Sequence, residues 1–183
     1  MIYLNWKVYV LMAAKNYNYL YYVEGEDDEA IVKALKNKYI ISGKILCFNV
    51  VEKEISTLKL RTIKENTVII LVFDVDTNNI NTITKNIEVL KKCKNVKEII
   101  LIPQIENLED ELIRSTSIKK IKELTNSKST TDFKRDLLKA TNTLKLLENK
   151  KFDINKFWIK IPNNNFKKFE NMSYKIKVKS SLK

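Results

Sequence analysis

Two short acidic strings hold the groups in this sequence best suited to chemistry on phosphates. The first is Glu24-Gly25-Glu26-Asp27-Asp28 and the second is Asp74-Val75-Asp76. In an extended segment, side chains two apart lie on one face, so Asp74 and Asp76 can point at one centre. Carboxylates brought together repel one another and raise each other's pKa, and a cation has to offset them. The chain has no histidine and only two cysteines, Cys47 and Cys93. It therefore has no histidine-based nucleophile pair and too few ligands for a closed zinc site. Acid–base work falls to carboxylates, lysine, tyrosine or a metal-bound water. The cation that suits an all-oxygen donor set is Mg²⁺ or Mn²⁺. Taken singly, Glu24-Gly25 reads as an ordinary turn with solvated acids, and Asp74 and Asp76 read as helix caps. Their joint placement gives the chemical reading its weight.

That placement depends on the elements around them. Residues 19–23, 45–51, 68–73 and 99–102 are short, continuous apolar blocks, the pattern of parallel strands covered on both faces. Between them run helical stripes: Ala30, Ile31, Ala34 and Leu35; a weaker one through Ile55, Leu58 and Ile63; and Ile80, Ile83, Ile87 and Leu90. Strand and helix alternate, which predicts an α/β fold with about four parallel strands sandwiched by helices. Ligands of such sheets collect at the carboxyl ends of the strands, where Glu24, Asp74 and Asp76 fall. Gly25, one of only two glycines, is expected to permit an unusual backbone and the close approach of a phosphate. The pattern changes after Pro103. We expect an α/β core over residues 1–104 and a helical, basic extension over 105–183 packed on it. The extension includes a stripe through Phe133, Leu137, Ala140, Leu144 and Leu147, and a final helix opened by Asp153. Cys47, in an apolar strand, is expected in the core.

Tyr22-Val23-Glu24-Gly25-Glu26-Asp27-Asp28 followed by Val72-Phe73-Asp74-Val75-Asp76 resembles the Toprim domain. That domain is shared by bacterial primases, type IA and type II topoisomerases, OLD-family nucleases and the small ribonuclease that matures 5S ribosomal RNA. The resemblance covers about residues 18–104. It implies a compact Rossmannoid core and Mg²⁺- or Mn²⁺-dependent chemistry on phosphodiesters. It also implies Glu24 as the acid–base group, Asp74 and Asp76 as metal ligands with Glu24 beside them, and Asp28 as a further ligand. Glu106-Asn107-Leu108-Glu109-Asp110-Glu111-Leu112 is weakly similar to the acidic segment of RloB-type Toprim proteins, which adds Glu109; acids that favour a helix N-terminus would look the same. The sequence departs from larger members in having no topoisomerase tyrosine domain, no zinc-binding domain and no P-loop. The resemblance thus implies a stand-alone nuclease, hydrolysing RNA or DNA, that a separately encoded ATPase could control, as in some anti-phage systems. Asp74-Val75-Asp76-Thr77 is also similar to the motif of haloacid-dehalogenase phosphatases, but Thr77 falls one residue early and the motif lies on the third strand.

Charge points to the same kind of partner. The net charge is +12; residues 1–100 carry 15 basic and 12 acidic side chains, against 19 and 10 in residues 101–183. A basic half beside a nearly neutral one suits a polyanion, most often nucleic acid. Lys150, Lys151, Lys156, Lys160, Lys167 and Lys168 are interleaved with Phe152, Phe157, Trp158, Phe166 and Phe169. Lysines beside exposed aromatics would hold phosphates and stack bases; aromatics packed inward would leave the lysines merely solvated. The rival reading from another class is a non-catalytic module that binds nucleic acid or a protein partner. No run of about 18 apolar residues offers a membrane span, and no secretory leader is expected. The two cysteines make no disulfide framework, so a reducing cytoplasm is the expected home.

Overall fold

Runs of consecutive apolar residues can be strands only if both sheet faces are covered, and that is how the chain folds. The computed structural model describes residues 17–77, 79–162 and 165–178. β1 (Asn18–Val23), β2 (Lys44–Cys47), β3 (Thr67–Asp74) and β4 (Val96–Gln104) form one sheet in the order β2-β1-β3-β4, with every pairing parallel. The crossovers carry α1 (Glu26–Leu35), α2 (Thr57–Arg61) and α3 (Asn81–Lys92). After β4 come α4 (Leu108–Ser115), α5 (Lys122–Thr125), α6 (Thr130–Lys139) and α7 (Thr143–Asn149), then 3₁₀ turns at Asn165–Lys168 and Ser173–Lys175. The α/β class expected from the alternation of strands and helices is the class that forms.

Strand side chains alternate between two cores. Tyr21, Val23, Val68, Ile70 and Val72 pack against α1, α4, α6, α7 and the pair Phe157 and Trp158. Leu20, Tyr22, Ile69, Leu71 and Phe73 pack against Ile83, Ile87 and Leu90 of α3 and against Phe166 and Phe169. Residues beyond 105 thus line both faces of the sheet.

Four local expectations change. The second strand stops at Cys47 and not at residue 51, because the Asn49 carboxamide accepts the Val51 and Glu52 amides at 3.0 and 3.1 Å and turns the chain. Cys47 is exposed at that edge, where its thiol donates to Glu29 Oε2 at 3.0 Å. No helix follows Asp153. Its carboxylate instead caps a turn by accepting the Asn155 amide at 2.9 Å, and Lys151 and Trp158 take left-handed φ values of 57° and 55° that no α-helix accommodates. Gly25 is extended, with φ −132°, a conformation open to any residue. A Cβ there would lie 2.7 Å from Asp27 Oδ1, so what this glycine provides is room beside an acid.

Candidate functional site

The sheet register brings the acids together. Val23 ends β1 beside Cys47, Tyr22 pairs with Leu71, and Asp74 pairs with Gln104 at the far ends of β3 and β4. Glu24 leaves β1 on the same rim. Asp28 comes from the first turn of α1, where its Oδ2 accepts the Gly25 amide at 3.2 Å. That turn carries four acids, Glu26 to Glu29, which suits the positive end of the helix dipole.

A neutral amide, Gln104, sits among them. Gln104 Nε2 donates to Asp28 Oδ1 at 2.8 Å and to Asp74 Oδ1 at 2.9 Å. Its Oε1 accepts the indole N–H of Trp158 at 2.9 Å. Gln104 is fully buried and Asp28 is 5% exposed. Among the described residues no salt bridge reaches Glu24, Asp28, Asp74 or Asp76.

The electrostatics follow from that arrangement. Burial pushes the Asp28 carboxyl up to about 7, against the hydrogen bond from Gln104, with repulsion from Asp27 and Glu24. Burial pushes Asp74 up to about 8, reinforced by Asp28, Glu24 and Asp76. Glu24 is also raised, first by burial; the Asp74 backbone N–H pulls it down while Asp76, Glu52 and Asp27 push it up. These mutual influences place Glu24, Asp28, Asp74 and Asp76 in one electrostatic neighbourhood. Asp76 is its exposed member.

Glu109 lies in the first turn of α4 and pairs at 3.4 Å with Lys134, which also pairs with Asp27 at 2.9 Å and so ties Glu109 to the acidic turn of α1. Among the described residues, no three acid or thiol side chains stand close enough to close around one metal ion.

Beside the rim opens a cleft of about 280 Å³ lined by Glu24, Asn49, Glu52, Asp76, Thr77 and Asn79. Its walls are mostly polar, with Val51 as the one apolar side chain among the lining residues. One wall is pinned from behind by Asn86 of α3, which is 1% exposed. Its carboxamide accepts the Ile55 amide at 2.7 Å and donates to the Val50 and Lys53 carbonyls at 2.8 Å each.

The basic segment divides in two. Lys151, Lys156, Lys160, Lys167 and Lys168 are exposed, while Lys150 is half-buried and donates to Asn126 Oδ1 at 3.2 Å. The interleaved aromatics Phe152, Phe157, Trp158, Phe166 and Phe169 are all buried. They pack as two groups on opposite sheet faces: Phe152, Phe157 and Trp158 on one another, with Phe157 and Trp158 centred 4.4 Å apart, and Phe166 and Phe169 on each other and on Phe73. Base stacking on these rings is therefore overturned; the apolar sheet faces claim them.

Sequence reasoning missed Gln104 and Glu111, and weighed Trp158 only as a ring that could stack bases or pack inward. Glu111 is fully buried, pairs with Arg114 at 2.7 Å and accepts the Ile105 and Trp158 amides. Its acidic neighbours Glu109 and Asp110 disguise it as part of a helix start. Gln104 gives no charge signal at all, although its position at the end of an apolar run could have marked it. Among the described residues, no helix is long and apolar enough to cross a membrane. Compared with family models, curated proteins and solved structures, the chain matches none of them.

Proposed function

We propose that this chain is a Toprim-like phosphodiesterase that uses Mg²⁺ or Mn²⁺ to hydrolyse RNA or DNA in the cytoplasm. One observation carries the reading: Glu24, Asp28, Asp74 and Asp76 share the carboxyl rim of neighbouring parallel strands, beside a polar cleft, with no cation bound to them by a salt bridge among the described residues. The donor chemistry fits a hard divalent ion. Mg²⁺ ordinarily takes one or two carboxylates and keeps its waters, so a closed three-ligand shell is not required. Asp74 with Asp28 or Asp76 would hold it. When bound, the ion would activate water and neutralise charge on a phosphoryl oxygen. Glu24, half-buried and with its carboxyl raised by that burial, is the group placed to take and return a proton. Asn49, Thr77 and Asn79 offer hydrogen bonds along the cleft wall. The exposed lysines offer charge to a polyanion, and free thiols at Cys47 and Cys93 suit a reducing compartment.

The test is a cleavage panel on structured RNA, single-stranded DNA and plasmid DNA with Mg²⁺, Mn²⁺ or EDTA. Cleavage should require a divalent ion and disappear in Glu24→Gln and Asp74→Asn. Variants that cut as well as wild type would reject the site. A second reading, a binding module without catalysis, is favoured by the absence of a three-ligand cluster among the described residues and by the amide that already occupies Asp28 and Asp74. Nucleic-acid binding without cleavage, unchanged in Asp76→Asn, would select it. Control by a separate ATPase belongs to the first reading, and would appear as cleavage only after that partner is added.

A further inference from the structure

Trp158 has a backbone that a bulky residue avoids, with φ 55°, and it is fully buried. Such a conformation persists only where the surroundings over-determine it. Every polar atom of Trp158 is engaged. Its amide donates to Glu111 Oε2 at 3.0 Å, and its carbonyl accepts from Ser173 Oγ at 2.6 Å and Asn171 Nδ2 at 3.1 Å. Its indole N–H donates to Gln104, whose amide in turn holds Asp28 and Asp74. The residues just beyond it, Ile159, Lys160 and Ile161, are exposed. Hydrogen bonds therefore link the acidic rim to the Trp158 side chain, and Asn171, which donates to the Trp158 and Lys160 carbonyls at 3.1 and 3.0 Å, ties the Trp158 backbone to that of Lys160.

We propose that Gln104 and Trp158 are positioning residues that set the spacing of Asp28 and Asp74 and pass a change at the acidic rim to the chain carrying Lys160. Both N–H bonds of the Gln104 amide are used by the two carboxylates, and its oxygen is used by the indole. Whatever displaces one carboxylate from the amide must turn the amide plane, and the indole loses its aligned acceptor. The role of an ion as that displacing group rests on the reading above; the relay itself rests on the hydrogen bonds alone.

The experiment uses full-length ¹⁵N-labelled protein carrying Trp6→Phe, so that the single remaining indole N–H signal is that of Trp158. Asp74→Ala, which leaves Gln104 no acceptor at that position, should move the indole resonance and the Lys160 backbone amide, although it changes neither residue. In a Gln104→Met background the indole should move upfield, and Asp74→Ala should then add nothing at either position. If Gln104→Met fails to fold, Gln104→Asn, whose shorter amide cannot span the same partners, serves in its place. Wild-type resonances in Asp74→Ala, or an equal shift with and without Gln104, would overturn the relay. Mg²⁺ titration provides a second arm, with Mn²⁺ binding followed by electron paramagnetic resonance. Ion binding with an unmoved indole also overturns the relay. If no ion binds, the metal reading falls, and the Asp74→Ala comparison alone decides the relay.

Discussion

Gln104 gives Asp28 and Asp74 two hydrogen bonds and no charge, so the repulsion between them is relieved by protons. Both carboxyls hold a proton in the fold, to about 7 and about 8, at pH values where the unfolded chain, with an ordinary 3.8, has lost it. The folded state then binds more protons than the unfolded one, and stability falls as pH rises. The contribution is complete below about pH 4 and is lost as pH climbs through 7 and 8. Thermal melts from pH 5 to 8.5 should show a falling midpoint, flattened in Asp74→Asn. At pH 8.5 that variant should exceed wild type by roughly 1–3 kcal/mol. A divalent ion acts in the opposite sense, since it binds the ionised form: Mn²⁺ should raise the midpoint more at pH 8 than at pH 6. A midpoint insensitive to pH in this window would refute the shared-proton account. Asp74 was legible in the sequence because it ends an apolar block, and Asp28 because it belongs to the acidic string that follows another. Their partner was not, because a single neutral glutamine after Pro103 resembles any loop residue.

Elements were legible where apolar periodicity governs them and illegible where one polar side chain does. β1 and β3 follow from unbroken runs, and α3 from the spacing of Ile83, Ile87 and Leu90. The early end of β2 follows from Asn49, and the irregular path after residue 150 follows from aromatics drawn to two opposite sheet faces. Asn86 is the strongest such case. It is a polar residue on the buried stripe of α3, and it satisfies three backbone groups of the 50–55 loop. Asn86→Ala should cost roughly 2–4 kcal/mol, because buried amide and carbonyl groups lose their partners. Hydrogen exchange should show the weakening concentrated in residues 49–55, the cleft wall. Protection reduced evenly over the chain would contradict that assignment. Gly43 makes a contrasting prediction. A Cβ there would lie 2.6 Å from the Tyr19 carbonyl and 2.8 Å from Tyr19 Cβ, both close to the backbone of the neighbouring strand. Gly43→Ala should therefore destabilise by about 1–3 kcal/mol and loosen β2 in exchange, whereas Gly25→Ala meets only the side-chain end of Asp27 and should cost less.

At the scale of the whole molecule, charge is separated: the strand ends gather acids, while the excess of lysine lies in the second half of the chain. Because the interleaved aromatics of that half are buried, its exposed lysines offer charge without stacking. Lys168 is held in place by its bond to Thr84 Oγ1 at 3.1 Å and lies over the Phe169 ring, and Lys156, Lys160 and Lys167 are exposed. A surface of this kind binds phosphates by displacing counterions, so affinity should be insensitive to base sequence and steeply dependent on salt. Fluorescence anisotropy with labelled single strands of unrelated sequence should give one common slope of log affinity against log salt. Replacing Lys156, Lys160, Lys167 and Lys168 together by serine should reduce that slope by roughly 0.7 for each phosphate that is no longer neutralised, with the thermal midpoint little changed because these side chains are exposed. A slope equal to wild type would place the polyanion surface elsewhere on the molecule. A strong preference for one sequence would require base readout that exposed lysines without stacking rings do not supply.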